Sequence, residues 1–112
     1  MQLISAIVRP SKVNEVCGAL QSFGFRGLTV TTASGFGKRR GRPEIYRGVD
    51  CSTGFQNQVK IEIVAPDDDV DDVISVVCKV AATGGIGDGK IWVTAVGALV
   101  RIRTGEAGAD AL

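Results

Sequence analysis

The residues able to do chemistry are densest from Thr83 to Lys90, which reads Thr-Gly-Gly-Ile-Gly-Asp-Gly-Lys. Glycines at 84, 85, 87 and 89 would let backbone N–H groups approach an anion closely, because no Cβ stands in the way. Lys90 adds a point charge of the kind that meets phosphate. Gly84 to Lys90 satisfies the opening Gly-x-x-x-x-Gly-Lys of a phosphate-binding loop, but Ile91 stands where that motif needs a Ser or Thr for Mg²⁺. The context is also reversed. The loop follows a helical pattern and precedes a strand, Ile91-Trp92-Val93, so no helix N-terminus would point at the phosphates. The expectation is a phosphate cradle and not a Walker-type NTPase, with a plain tight turn as the alternative. Arg101 and Arg103, two apart on what reads as a strand, would project to one side and favour the anion.

Other chemistries are narrowed by what the chain contains. It has no histidine, so neither a His-based catalytic dyad nor a triad can form. Cys17, Cys51 and Cys78 are odd in number and lack Cys-x-x-Cys spacing, which argues against zinc. Cys51 lies among arginines that would lower its pKa if they were close in space. No base or nucleophile accompanies the glycine loop, so the act expected there is binding and not catalysis.

With 112 residues and 45% hydrophobic content, one domain with its own core is expected. A net charge of +1 gives no global field to steer nucleic acid or a membrane. Neither a signal peptide nor a long apolar span is visible, and a reduced, cytoplasmic setting fits the cysteines.

The elements that must position the loop follow from periodicity. Gln2 to Arg9 is an apolar, branched run that predicts a strand, ended by Pro10. Ser11 reads as the N-cap of a helix whose core face is Val13, Val16, Cys17, Leu20 and Phe23, stopped by Gly24. Gly27 to Ser34 predicts a second strand, with Thr29 and Thr31 on one face and Leu28 and Val30 on the other. Val59 to Val64 predicts a third, with Val59, Ile61 and Ile63 opposite Lys60, Glu62 and Val64. Asp67, Asp68 and Asp69 suit the positive end of a second helix, with Val70, Val73, Ile74, Val77 and Ala81 inward. Lys90 to Val100 predicts a last strand or strand pair, with Gly97 as a bulge or turn. The tail from Thr104 to Gly108 reads as mobile.

Between strands two and three the pattern breaks for more than twenty residues. Lys38, Arg39, Arg40, Arg42 and Arg47 outnumber Glu44 and Asp50 there. A segment this long in so small a domain predicts a partner-binding arm. The order β-α-β, long loop, β-α-β predicts an α+β, ferredoxin-like βαββαβ sandwich: a four-stranded antiparallel sheet with two helices on one face. The uncovered face predicts an oligomer.

At this point the residues resemble the P-II signal-transduction family of nitrogen regulators. The resemblance is carried by Gly27-Leu28-Thr29-Val30-Thr31, Gly35-Phe36-Gly37, Tyr46-Arg47-Gly48, Val59-Lys60-Ile61-Glu62-Ile63, Ile86-Gly87-Asp88-Gly89-Lys90-Ile91 and Val100-Arg101-Ile102-Arg103-Thr104-Gly105-Glu106. It spans nearly the whole chain. It implies a homotrimer binding ATP or ADP in clefts between subunits, without catalysis. Residues 36–55 would be the family's T-loop, 83–90 its B-loop and 101–112 its C-terminal loop. By the same resemblance Thr29, Glu62 and Val64 would surround the adenine. Gly35, Gly37 and Lys38 at the T-loop base would meet the phosphates. Gly87, Asp88, Gly89 and Lys90 would form the phosphate cradle, and Arg101 and Arg103 a cationic clamp. Arg40, Arg42, Tyr46, Arg47 and Cys51 would face a target protein: an ammonium channel, another transporter, an enzyme or a transcription regulator. Association with the membrane would then be peripheral, through a transporter.

The departures are specific. Position 51, a tyrosine in nucleotidylylated members, is Cys51, which has no phenolic hydroxyl. Position 49, a phosphorylated serine in cyanobacterial members, is Val49; Ser52 is nearby. Position 39, a glutamine that helps hold Mg²⁺ for 2-oxoglutarate, is Arg39, a cation with no acceptor. Position 58, a lysine that pairs with that ligand, is Gln58. Gly85 replaces a basic B-loop residue. These changes predict a weakened 2-oxoglutarate response and leave open another small anion, such as bicarbonate. Arg40-Gly41-Arg42-Pro43 also resembles the core of an AT-hook, which gives nucleotide-gated DNA binding as an alternative of another class.

Overall fold

The computed structural model describes residues 1–25, 27–36 and 55–112, together with the backbone of two short strands between them. The elements are β1 (Gln2–Val8), α1 (Val13–Phe23), β2 (Thr29–Gly35), β3 (Ile45–Tyr46), β4 (Val49–Asp50), β5 (Gln56–Ala65), α2 (Val70–Ala81) and β6 (Gly89–Ala95). Four strands form one antiparallel sheet in the order β2-β5-β1-β6, while β3 and β4 pair separately. This is the expected ferredoxin-like arrangement.

Alternation in the two central strands decides which face is which. Ile4, Ala6 and Val8 of β1 and Val59, Ile61, Ile63 and Ala65 of β5 are buried. They form one core with Val16 and Leu20 of α1 and Val73, Val77 and Ala81 of α2. Cys17 packs against that core from its edge, the small-residue role expected of it. The intervening residues face away from the helices. Register places Thr29, Glu62, Ser5 and Trp92 in one row across all four strands of that second face. Thr31, Lys60, Ile7 and Lys90 form the next row.

Several expected boundaries and caps differ. β1 ends at Val8, which frees Arg9 to point elsewhere. Ser11 is not a helix cap: it lies inside a 3-10 turn, Pro10–Lys12, and Lys12 occupies the cap position without a side-chain bond. Asp67, Asp68 and Asp69 form a 3-10 turn of their own ahead of α2 and make no cap hydrogen bond. Asp67 instead accepts from the Met1 nitrogen at 2.9 Å and from Gln2 Nε2 at 3.1 Å. β2 begins two residues later than expected, and β5 is longer at both ends. These strands pair down to Gly35 opposite Gln56, so the two ends of segment 36–55 start side by side. Phe36 and Phe55 meet there with ring centroids 6.1 Å apart.

The largest correction concerns the end of the chain. β6 stops at Ala95, and Gly97 sits in a bend and not a strand bulge. Residues 102–104 form a turn, so the period-two argument for Arg101 and Arg103 does not apply. The segment expected to be mobile is a small hairpin. Val100 bridges Ala107, Arg101 N–H donates to Glu106 O at 2.8 Å, and Gly108 N–H donates to Leu99 O at 2.9 Å. A positive φ at Gly105 and at Gly108 permits it.

The packing makes a direct prediction. Leu20 is 1% exposed within the core. Leu20→Ala should cost about 2–5 kcal/mol of stability, read from urea denaturation, because the helix–sheet interface closes only partly over the cavity.

Candidate functional site

The loop between α2 and β6 is held by an acidic residue and not by its glycines alone. Asp88 Oδ2 accepts from the backbone N–H of Thr83 at 2.8 Å and of Gly84 at 3.0 Å. Its Oδ1 accepts from the Thr83 hydroxyl at 2.5 Å and from Arg9 Nε at 2.9 Å. Arg9 Nη2 also donates to Ile86 O at 3.0 Å. One carboxylate thus closes the loop on itself, and one guanidinium from the end of β1 ties it to the sheet. The sequence reading missed Arg9. The available signal was a cation directly after a buried strand, before a proline that stops it.

These donors hold the Asp88 carboxyl well below the usual carboxylate range. The Thr83 hydroxyl contributes most, then Arg9, then the Thr83 N–H. A carboxylate fully engaged in this way shapes the loop, and its oxygens already have partners inside the chain.

Gly89 sits at φ 105°, and a Cβ there would meet the carbonyl oxygen of Ile7 on the paired strand. Glycine at 89 is therefore required for β6 to leave the loop in register with β1. Lys90 follows on the face away from the helices. Gly35, Phe36, Gln58, Gly87, Lys90 and Trp92 line a hollow of about 530 Å³ at this end of the sheet. The amide end of Gln58 lies across Gly35, so a side chain added there would have to displace it.

A second hollow, of about 750 Å³, opens at the opposite end of the sheet. Thr29, Glu62 and Val64 line it with Phe25, Leu28 and Leu99. Within it Glu62 is engaged by Lys60 Nζ at 3.0 Å and more loosely by the Ser5 hydroxyl at 3.5 Å. The sequence-derived site residues therefore fall into two groups at opposite ends of one chain. Gly35, Gly87, Gly89 and Lys90 come together, and so do Thr29, Glu62 and Val64, but the two groups do not meet. Arg101 and Arg103 stand in the C-terminal hairpin, outside the lining of both hollows. Gly37, Lys38, Arg40, Arg42, Arg47 and Cys51 lie outside the described residues, and Tyr46 is described only as backbone of β3. Among the described residues, no group of three or more acidic or cysteine side chains is arranged to hold a metal ion. No helix among them is long and apolar enough to cross a membrane.

The family model described as nitrogen regulatory protein P-II matches residues 1–106. The chain belongs to the P-II family. It is 48% identical to the nitrogen regulatory protein GlnK of Escherichia coli (strain K12), over 112 residues and the whole of both chains. It is 50% identical, with the same coverage, to the nitrogen regulatory protein P-II of Mesorhizobium japonicum. Its fold matches the crystal structure of Arabidopsis thaliana PII bound to citrate with a TM-score of 0.82 and 39% identity, over 99% of this chain and 91% of that one. This P-II chain is a regulator of signal transduction and not a catalyst.

The Asp88 network carries a pH prediction. A carboxyl whose folded pKa is depressed contributes stability above its unfolded pKa, about 3.9, and loses it as pH falls through the lower folded value. Asp88→Asn should be less stable than the parent at pH 7 in urea denaturation. The gap between the two chains should stay constant down to about pH 4–5 and shrink below that. A gap independent of pH would mean that the Asp88 charge does not hold the loop.

Proposed function

We propose that this P-II protein is a homotrimeric regulator that binds ATP or ADP in clefts between neighbouring copies and signals to a target through residues 36–55. The observation that carries the reading is the separation of the two residue groups. One hollow offers Thr29, Glu62 and Val64, whose mix of apolar wall, hydroxyl and carboxylate suits a purine edge. The other offers the glycine loop and Lys90, which suit phosphate. They lie at opposite ends of a sheet whose second face carries no helix, so a ligand needing both groups takes one from each of two copies. Closed rotation of copies through that face makes a ring. The crystal structure of the Arabidopsis relative is of PII bound to citrate, a multiply charged anion, which fits an anion-binding role for the fold.

In this reading the chain's own residues only bind and orient. Gly87 and Gly89 let the backbone approach phosphate, Lys90 supplies charge, and Arg103, exposed at the hairpin turn, is available to the clamp. Mg²⁺ would be held chiefly by nucleotide phosphates. ATP and ADP would act by differing in their contacts with two arrangements of 36–55, which is a population shift. The neck of that segment, Phe36, lines the same hollow as Lys90, so phosphate occupancy and loop position are physically adjacent. Position 58 contributes a neutral amide where a dicarboxylate would need a cation, and this supports a weak 2-oxoglutarate response, with bicarbonate or another small anion as the effector to compare. The target, a channel, transporter, enzyme or transcription regulator in or facing the cytoplasm, is recognised by the arm.

Isothermal titration with ATP and ADP tests the reading. Saturable binding at one site per subunit is expected, with Lys90→Ala weakening ATP by about tenfold or more, the loss of one charge-assisted contact. Absence of binding by the folded parent would overturn it. Adding 2-oxoglutarate with MgATP should change nucleotide affinity by less than about twofold, a coupling too small to signal with. A large shift would show that Arg39 and Gln58 do not impair that response.

A further inference from the structure

Arg101 is the residue on which the end of the chain closes. Its Nη2 donates to a main-chain oxygen of Asp110 and of Leu112, at 3.1 Å each. Its Nη1 lies 3.3 Å from Glu106 Oε2. Its main chain is fixed as well, since Gly105 N–H donates to Arg101 O at 2.8 Å. The guanidinium fork that would meet an anion is thus turned onto three oxygens of its own chain. Beyond these contacts the tail is held lightly, with Ala111 and Leu112 at the wall of the Thr29–Glu62 hollow. The 3-10 turn Gly108–Ala111 contains no buried residue, and Leu112 N–H reaches only Ala109 O, at 3.2 Å.

We propose that segment 106–112 is a latch that masks Arg101, competing within the chain for the anion-binding capacity of that side chain. This rests on the nucleotide reading above and adds a gate to it. One of the three acceptors, the Asp110 carbonyl, is neutral, and a phosphate oxygen outbids it because its bond to arginine is charge-assisted on both sides. The other two, the main-chain carboxylate of Leu112 and the Glu106 carboxylate, repel phosphate and must leave when phosphate arrives. With the latch closed, the fraction of chains able to use Arg101 is reduced, and apparent affinity falls by that fraction. Linkage then requires that bound nucleotide loosen the tail by the same factor.

Removing residues 110–112 deletes the Asp110 and Leu112 acceptors and takes nothing from the core. It also trims Ala111 and Leu112 from the wall of the Thr29–Glu62 hollow, a loss that would weaken binding and so runs opposite in sign to unmasking. Asp110→Asn keeps the carbonyl and removes the nearby negative charge, so it separates masking from simple repulsion. In calorimetric titration with ATP, the shortened chain should bind about threefold or more tighter than the parent, while Asp110→Asn stays within about twofold. On an Arg101→Ala background, shortening should no longer tighten ATP binding. In the full-length protein, ATP should speed deuterium uptake in the peptide covering 108–112. Equal affinities for the parent and shortened chains, or an Asp110→Asn effect as large as shortening, would overturn the latch while leaving nucleotide binding intact. Slower uptake with ATP would overturn it too, since the tail would then fold over the ligand. No ATP binding by either chain would overturn the nucleotide reading and the latch together.

Discussion

The pairing register of β1 and β5 is the constraint from which the rest follows. Both strands are flanked on each side in the sheet, and each alternates apolar residues toward the helices with other residues away from them. A slip of one position would turn Ile4, Ala6, Ile61 and Ile63 outward and bring Ser5, Lys60 and Glu62 against α1 and α2. The burial of two lysine- and glutamate-bearing positions under helices would be very costly, so the register has no close competitor. Fixing it also fixes the composition of the open face. Thr29, Glu62 and Val64 stand together at one end of that face, and Gly35 and Lys90 at the other, because β2 and β6 take their registers from the central pair.

The second level of organisation is local and polar. Asp88 and Arg9 are each only partly exposed, at 23% and 27%. An ion pair so placed is worth little as an isolated charge contact. Its value lies in geometry, since the same carboxylate also collects two backbone N–H groups and a hydroxyl. A glycine-rich loop without such a clasp would sample many conformations, and ordering it on binding would cost conformational entropy. The clasp keeps the carboxylate turned inward with the Gly84 N–H, while the Gly85 N–H donates to the Thr83 hydroxyl, which leaves Lys90 as the charge that the loop end presents. Gly89 completes this by allowing the loop to enter the sheet against Ile7 without a side chain between them.

Much of this was legible in the sequence because it depends on period. Alternation in Val59 to Val64 and helical spacing in Val70 to Ala81 are one-dimensional signals of which side is buried. The resemblance added the groups of site residues but not their separation into two hollows, which runs along the strands: Thr29 and Gly35 stand at opposite ends of β2, and Gly35 shares a hollow with Lys90 of β6. What escaped was chemistry that depends on chain ends and long-range partners. Ser11 and Asp67 look like caps in sequence, yet a 3-10 turn precedes each helix and the Asp67 carboxylate finds Met1 and Gln2 instead. Arg101 and Arg103 look like alternate residues of a strand, yet Gly105 and Gly108 fold the chain back before a strand can continue. Arg9 stands out locally only as a cation between a buried strand and a proline; its partner lies seventy-nine positions away.

These parts bear on how a binding event at one place could be felt at another. The two ends of segment 36–55 leave the sheet at Gly35 and Gln56, opposite one another, with Phe36 against Phe55. Phe36 shares a hollow with the loop that Asp88 holds rigid. A ligand against Lys90 therefore presses on a fixed wall on one side and on the neck of the arm on the other. Among the described residues, the wall is clasped to β1 and the neck is fastened by strand ends and an aromatic contact, so in the proposed reading rearrangement would fall on the neck. The clasp on the loop side would then give the contact a direction, and an effector would need only to differ in how far it reaches toward Phe36 to favour one state of segment 36–55 over another.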